Sequence, residues 1–556
     1  MSDLVTDLKK KLTKLFKNKR YSEIESELEK IGDLEKQAIP NINAYAFAKA
    51  LNKNSERKDL VKAAYFFEKV YISDKSNLEA LYNLALVSIR SRVYKHALPH
   101  LLERHKANNK DHIILEALSK INFVLGNISE SNTYAHQLIK VNPSYLNGWE
   151  DYLSSLNYIT EKSQDHYLKY ALEFDKLPKI NCEPFLKKKN KVSSKKIKLG
   201  LLSPDFKTHS VSFFLNDTLS KISKNDFELF SFSNLEKKKH DNMTGAIKKS
   251  FDHWYDTKEL SDIEFINLVR SLDVDILIDL AGYTLGNRIQ ALRARCAPMQ
   301  VSWLGYCNTL GSDSIDYIVA DRNLIKKEEE DQYVEKILYL PNIWNAMSKP
   351  KNLPSINELP AKDNSIFTLG SFNNFSKISS ETIKVWAEIL NNSNSRLILK
   401  SGSVEGDGSK ENIIKKFKKY VHKENKILLL DRSQTMQEHL SEYNKIDLAL
   451  DTFPFPGVTT TFEALLMGVP VLTMKGFNFN SRCGESINLN LKMNEFLADT
   501  AKDYVNKAIA VQGNLNKLVS LRSSLREITL ESSLFDTETF AKELSNILKE
   551  TWNKTI

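Results

Sequence analysis

The 556-residue sequence is poor in cysteine and contains no long hydrophobic segment. Its four cysteines form neither a CxxC pair nor a spacing typical of zinc sites: Cys182, Cys296, Cys307 and Cys483. Isolated thiols of this kind predict a reduced, cytoplasmic protein and exclude a disulfide-stabilised scaffold. No apolar run approaches the roughly 18 to 20 residues of a membrane span, so we expect no transmembrane segment.

The sequence also lacks a strong excess of charge of one sign. It has 79 Lys and Arg against 70 Asp and Glu, a net charge of +9. This slight basic excess suits an anionic ligand weakly and gives no argument for nucleic acid as a partner. The N-terminal MSDLVTDLKKKLTKLFKNKR lacks the apolar segment of a signal peptide and predicts a solvated basic amphipathic helix, with membrane-surface contact as the alternative.

The first third of the chain repeats every 34 residues. Three columns are in phase: Phe47, Leu81, Leu115 and Trp149; Ala50, Leu84, Leu118 and Tyr152; and Ala63, Ala97 and Ser131. Large apolar residues one helical turn apart, followed by a small residue where two helices cross, are typical of tetratricopeptide repeats. Such arrays usually bind extended polypeptide on their concave face. An array that serves only packing or dimerisation is the alternative.

From residue 197 onward, short apolar runs alternate with helical stretches. This pattern indicates parallel sheets with crossover helices, and its length favours two Rossmann-like domains that face a cleft. We therefore predict an N-terminal helical segment at 1–40, tetratricopeptide-like repeats at 41–185, a basic linker at 186–196, and Rossmann-like lobes at 197–348 and 349–556.

The stretch DTFPFPGVTTTFEALLMGVPVL, residues 451–472, predicts an anion site. An apolar strand ends at Asp451, a Pro/Gly loop follows, and a helix begins near Thr460. A helix N-terminus offers N–H donors and a positive dipole end, while Gly457 lets the backbone approach a ligand closely. Thr460 and Glu463 also fit a capping box, which needs no ligand. A cap leaves Thr459, Thr461 and the glycine unexplained, so we favour the anion site.

Two further polar residues follow other predicted strands. Lys377, in FNNFSKI at 372–378, lies at a second strand-to-helix turn and is predicted to face the same anion. His439 begins another helix shortly before Asp451. An acidic pair, Asp273 and Asp275, is better explained by an ordinary strand entry than by metal binding, so we predict no metal site.

Several of these motifs, taken in order, resemble one known family. They are SPDFKTHS, DLAGYTLGNR, APMQVSWLGY with DYIVAD after it, GSFNNFSKI, the stretch at 451–472, and SSLFDTETFAKEL. Together they resemble the O-linked N-acetylglucosamine transferase (SPINDLY-like) family over roughly residues 197–545. Tetratricopeptide repeats precede the motifs, as in that family.

The resemblance implies a fold and an activity. The fold is α plus α/β: helical repeats followed by a GT-B glycosyltransferase made of two Rossmann-like domains. The implied enzyme is a metal-independent, inverting protein O-glycosyltransferase without a cofactor. Its co-substrate is a nucleotide sugar, with UDP-GlcNAc favoured, and its partner is a protein or peptide acceptor. The oligomeric state stays open, a homo-oligomer included.

The resemblance also implies roles for individual residues. Lys377 matches the family residue at the diphosphate, with Asn374 beside it, and Thr459 and Thr460 match the diphosphate-binding helix. His439 matches a donor-site histidine, and Glu463 an acidic residue near the ribose. His209 matches the histidine near the reaction centre. One departure is Val458, where the animal enzymes carry a histidine; this puts one pyrophosphate contact in doubt. Whether His209 is the catalytic base or orients the donor is left open.

The chemistry agrees with these roles. The leaving nucleoside diphosphate gains negative charge, which Lys377 and a helix N-terminus can stabilise without a divalent ion. Three alternatives stay open. The first is the same fold with UDP-glucose, GDP-fucose or an Asn acceptor, and the second is an inactive repeat scaffold. The third is a nucleic-acid binder, which only the lysine runs support.

Overall fold

The computed structural model describes residues 2–160, 163–185, 196–363, 366–402, 406–422 and 426–555. The predicted basic linker at 186–196 lies outside these ranges except for its last residue. The chain divides into two compact units: Met1–Tyr152 with Ser403–Lys415, and Leu153–Gly402 with Lys416–Ile556. No helix of the described ranges combines the length and hydrophobicity needed to cross a bilayer.

Helical hairpins follow one another through the predicted repeats. The helices are α1 (Ser2–Lys17), α2 (Tyr21–Lys30), α3 (Ile39–Leu51), α4 (Arg57–Ser73), α5 (Leu78–Ser91), α6 (Leu98–Ala107), α7 (His112–Val124), α8 (Ile128–Val141), α9 (Leu146–Leu156) and α10 (Gln164–Asp175). Successive hairpins begin at Leu78, His112 and Leu146, each 34 residues after the one before. The predicted helical repeats are therefore confirmed.

The repeated residues are the ones that let paired helices pack closely. Leu81 and Leu115 are fully buried in equivalent first helices. Ser131, the small residue of its repeat, donates its hydroxyl to the Ser119 carbonyl at 2.8 Å, and the Ser119 hydroxyl donates to the Ser131 carbonyl at 3.1 Å. A larger side chain at Ser131 would separate α7 from α8 and break both hydrogen bonds.

The first sheet is parallel throughout. Its strands are β1 (Ile197–Ser203), β2 (Phe227–Ser233), β3 (His253–Asp256), β4 (Ile276–Asp279), β5 (Met299–Ser302), β6 (Tyr317–Asp321) and β7 (Lys336–Leu340), in the spatial order β3-β2-β1-β4-β5-β6-β7. The connecting helices include α11 (Ser210–Lys221), α12 (Asn242–Lys248), α13 (Asp262–Ser271) and α14 (Ile289–Arg293). Leu199 of β1 lies opposite Leu229 and Ile276, so the central strand is apolar on both sides.

A second parallel sheet repeats this plan. Its strands are β8 (Phe367–Ser371), β9 (Ser395–Lys400), β10 (Ile427–Leu430), β11 (Leu448–Leu450), β12 (Val471–Met474) and β13 (Leu497–Ala498), in the order β10-β9-β8-β11-β12-β13. Its helices are α15 (Pro360–Asp363), α16 (Ser380–Asn392), α17 (Ser409–Phe417), α18 (Met436–Ser441), α19 (Thr459–Leu466), α20 (Cys483–Asn490), α21 (Ala501–Gln512) and α22 (Leu515–Glu531). The strand order reverses between β8 and β11, which is where open α/β sheets bind ligands.

The last helix of the chain, α23 (Thr537–Thr555), packs on the first sheet rather than the second. Phe540, Leu544 and Leu548 lie in the core cluster of β1 and its neighbours, and the Phe540 ring stacks on Trp303 at 5.9 Å between centroids. The sequence assigned the whole of 349–556 to the second lobe. That assignment is wrong for α23, because its apolar stripe completes the core of the first lobe.

The segment around α10 joins the two lobes through buried polar contacts. The Gln164 amide donates to the Asn308 side chain at 2.7 Å, in the loop after β5. Its carbonyl oxygen accepts from the Asn478 amide at 2.9 Å, in the loop after β12. Both hydrogen bonds are buried, so one side chain ties a loop of each lobe to α10.

Replacing Phe540 with alanine is expected to destabilise this unit by about 3 kcal/mol, because it leaves a cavity beside Trp303. The free energy of unfolding in urea, followed by tryptophan fluorescence, measures the loss. Lys542→Ala, on the exposed face of the same helix, should change it by less than about 0.5 kcal/mol. Equal effects of the two substitutions would contradict the packing of α23 on the first sheet.

Candidate functional site

The carboxylate of Asp451, at the end of β11, is the centre of a buried hydrogen-bond cluster. It accepts from the Gly457 backbone N–H at 2.6 Å, the Asn373 amide at 3.0 Å and the Thr473 hydroxyl at 2.9 Å. Burial raises the pKa of Asp451 to about 6. One side chain therefore fixes the Pro/Gly loop against the ends of β8 and β12.

Helix α19 begins directly after this loop, at Thr459, one residue earlier than predicted. Its N-cap position is Val458, which supplies no side-chain cap. The Thr460 hydroxyl donates instead to the Asn373 side chain at 2.5 Å. The capping-box alternative is therefore wrong, since Glu463 is engaged elsewhere and Thr460 is part of the Asp451 cluster.

Gly457 is required by how closely these hydroxyls approach the loop. A Cβ atom at this position would lie 2.5 Å from the Thr460 hydroxyl and 2.8 Å from both the Asn373 oxygen and the Thr461 hydroxyl. No side chain fits in that space. The glycine thus keeps the backbone tight against the N-terminus of α19.

Lys377 reaches the same loop from the end of β8. Its ammonium donates to the Pro456 carbonyl at 2.8 Å and lies 4.1 Å from the centre of the Phe455 ring. Burial lowers the pKa of Lys377 to about 8, and the Asp451 carboxylate partly opposes this shift. Asn374, at the start of the same turn, is exposed and accepts from the Ser376 N–H at 3.1 Å.

A second group of residues adjoins the middle of α19, at Glu463. His439 lies 3.0 Å through Nε2 from the Glu463 carboxylate, to which the Tyr443 hydroxyl also donates at 3.1 Å. The Phe372 ring packs on Tyr443 at 4.3 Å and on His439 at 5.9 Å between centroids. The structure thus brings the predicted His439 and Glu463 together. The sequence analysis missed Tyr443, whose spacing of four from His439 on a helical stretch was the available signal.

His209 caps the first-lobe helix α11. Its Nδ1 accepts from the Val211 N–H at 3.3 Å and lies 3.7 Å from the Asp205 carboxylate. Desolvation lowers the pKa of His209, opposed by Asp205. Helix α11 approaches α19 of the second lobe, since the Phe214 and Phe462 rings meet edge to face at 5.2 Å. His209 therefore lies at the N-terminus of a helix that packs against α19.

The described residues contain no candidate metal site, since no group of three or more His, Cys, Asp or Glu side chains there is arranged to hold an ion. Asp275 accepts from the Lys198 N–H at 2.9 Å, across to β1. This hydrogen bond joins the residue before β4 to β1.

Comparison with known proteins decides the family. The family model described as glycosyl transferase family 41 matches residues 161–358 and 355–544. The chain belongs to this family. The resemblance seen in the sequence motifs is thereby confirmed.

Relatives in plants share this family's region. The "Probable UDP-N-acetylglucosamine--peptide N-acetylglucosaminyltransferase SPINDLY" of Solanum lycopersicum is 30% identical over 420 residues, which is 75% of this chain and 45% of that protein. The corresponding protein SEC of Arabidopsis thaliana is 26% identical over 68% of this chain and 39% of its own length. The family 41 chain thus spans less than half of the curated relatives it matches.

A solved structure agrees with the fold. A mutant of the Thermobaculum terrenum O-GlcNAc transferase superposes with a TM-score of 0.81 at 24% identity, and the match covers 94% of this chain and 99% of that one. This likeness confirms the predicted helical repeats followed by two Rossmann-like lobes. The roles of the individual site residues stay predictions.

Replacing Gly457 with alanine is expected to weaken the binding of UDP at least about tenfold, because the added methyl displaces the Thr460 hydroxyl and opens the Asp451 cluster. Isothermal titration measures the affinity. Gly245→Ala is the control, since a Cβ there meets no atom within 4 Å. Unchanged UDP affinity in Gly457→Ala would show that the loop does not bind the diphosphate.

Proposed function

We propose that this chain is an inverting glycosyltransferase that moves N-acetylglucosamine from UDP-GlcNAc onto Ser or Thr hydroxyls of protein acceptors, without a metal ion. The observation that carries the proposal is the meeting of Lys377, Gly457 and the N-terminus of α19 where the strand order of the second sheet reverses. A half-buried cation next to a helix N-terminus suits a diphosphate.

The reaction breaks one bond and forms one. The acceptor oxygen attacks the anomeric carbon, and the bond from that carbon to the diphosphate oxygen breaks with inversion of configuration. The bonding pair leaves on UDP, whose extra negative charge needs a partner. Lys377 supplies it: on ligand binding its ammonium exchanges the Pro456 carbonyl for a phosphate oxygen.

The polar residues around α19 suit the remainder of the nucleotide. Thr459 and Thr460 lie in the first turn of α19, within reach of a diphosphate bound at its N-terminus. The carboxylate of Glu463 lies one turn further on and holds His439, an arrangement suited to ribose hydroxyls. Asn374, exposed at the turn that carries Lys377, remains available to the donor.

His209 is better suited to orienting the donor than to accepting the proton. Its Nδ1 accepts a hydrogen bond from the Val211 backbone, so the neutral ring carries its proton on Nε2. A protonated Nε2 donates to a ligand oxygen and cannot act as a base in that state. The acceptor proton then leaves to solvent or to another group of the complex.

The acceptor is assigned from the relatives and from the repeats. The curated relatives are named peptide N-acetylglucosaminyltransferases, which favours GlcNAc over glucose or fucose. Tetratricopeptide arrays bind extended polypeptide, so we assign the acceptor's flanking sequence to the concave face of the repeats. The Asp451 cluster, complete and buried, speaks against an inactive scaffold.

Lys377→Ala is expected to lower the rate of transfer from UDP-GlcNAc at least about 100-fold, because a charge partner of the leaving group is lost. Radiolabelled sugar incorporated into protein, measured in the presence of EDTA, gives the rate. Lys384→Ala removes an exposed lysine from the same lobe and should leave the rate unchanged. Wild-type transfer that requires an added divalent ion would contradict the metal-independent mechanism.

The binding of UDP should depend on the charge of Lys377. Because burial places the pKa of Lys377 near 8, its ammonium is present below that pH and is lost above it. UDP affinity should therefore fall as pH rises through about 8, by up to about tenfold per pH unit. Lys377→Arg keeps its charge, so its affinity should stay flat from pH 7 to 9.5. A parallel decline in both proteins would assign the titration to another group.

A further inference from the structure

Lys400 is a buried lysine that the diphosphate chemistry does not use. It is the last residue of β9, and its residue surface is 3% exposed. Its ammonium donates to the Ser433 hydroxyl at 2.6 Å. Among the described residues, no carboxylate forms an ion pair with it. An ammonium carries three donors, so one recorded acceptor leaves two for a ligand.

The position of Lys400 relates it to the candidate site. In the second sheet, Lys377 follows β8, and β9 is the next strand on the side away from β11. The carboxyl ends of neighbouring strands lie about 5 Å apart at the same edge. Ser371 of β8 lies opposite Leu399 of β9, so Lys400 lies beside Phe372, at the start of the turn that bears Lys377 and on the side away from β11.

The aromatic residues beside Lys400 connect it to the other predicted donor contacts. Its ammonium lies 5.5 Å from the centre of the Phe372 ring, and this ring packs on both Tyr443 and His439. Burial lowers the pKa of Lys400, and the charges of Glu442 and Glu463 partly oppose this. Lys400 thus adjoins, through the Phe372 ring, the group formed by His439, Tyr443 and Glu463.

The surroundings of Lys400 indicate which kind of ligand group it would bind. The diphosphate is assigned to Lys377 and the N-terminus of α19, and the apolar Phe372 face beside Lys400 suits a flat, uncharged ring rather than a phosphate. We infer that Lys400, together with Ser433, binds a carbonyl oxygen of the donor's nucleobase and so selects uracil over adenine, which has no carbonyl. This rests on the proposed function only in requiring that the site bind a nucleoside diphosphate.

The experiment compares three ligands that share the diphosphate: UDP, ADP and inorganic pyrophosphate. Affinities are measured by isothermal titration for the full-length wild type, Lys400→Met and Lys400→Arg, with Lys384→Met as a control for loss of a lysine charge. Lys400→Met should weaken UDP at least about tenfold and leave ADP and pyrophosphate within about threefold, since one charged hydrogen bond to the base is lost. Lys400→Arg should restore part of the preference for UDP.

Ser433→Ala gives an independent test, because it leaves the buried lysine in place and removes only its hydroxyl partner. It should reduce the ratio of UDP to ADP affinity in the same direction. Thermal unfolding midpoints establish that each variant is folded. If Lys400→Met does not fold, the outcome is decided by Ser433→Ala and Lys400→Arg.

Each outcome separates this inference from the proposed function. Equal weakening of all three ligands assigns Lys400 to the diphosphate or to loop support and overturns the inference, as does an unchanged ratio of UDP to ADP affinity. Both results leave the transferase proposal intact, because wild-type UDP binding persists. Absence of UDP binding in the wild type overturns the proposed function, and the inference with it.

Discussion

The buried carboxylate of Asp451 is the interaction on which the candidate site depends. It draws hydrogen-bond donors from three segments that are far apart in sequence: the end of β8, the Pro/Gly loop and β12. Through Asn373 it also sets the position of the Thr460 hydroxyl. Without this carboxylate the amide, the loop N–H and the threonine would each need another buried partner, and the N-terminus of α19 would lose its fixed approach to a ligand.

Among the described residues, the ammonium of Lys377 is partnered by neutral groups only. Its ammonium is held by a loop carbonyl and by the face of Phe455, both of them neutral partners. A neutral partner satisfies a donor without cancelling its charge. A lysine of this kind attracts an anion with its full charge, whereas a lysine already paired with a carboxylate would first have to lose its ion pair.

The sequence predicted the features that are local. The 34-residue period and the apolar runs of strands such as β1 report directly on helix and sheet packing, so the repeats and the two lobes followed from them. The motif order predicted the family.

The position of α23 could not be predicted, because its apolar stripe fits either sheet. The capping box at Thr460 and Glu463 was a plausible local pattern, but these side chains instead contact Asn373, in the turn after β8, and His439, on α18. Phe372 and Lys400 were missed for the same reason: only tertiary packing brings them together.

The hydrogen bonds of Gln164 have a consequence for substrate exchange. Many two-lobed proteins admit and release ligands by swinging their lobes apart. Here such a swing would have to break one of the two buried hydrogen bonds of this side chain, to Asn308 or to Asn478. A buried amide group without its partner costs free energy, so these contacts disfavour full separation of the lobes relative to local movement of the loops at their edge.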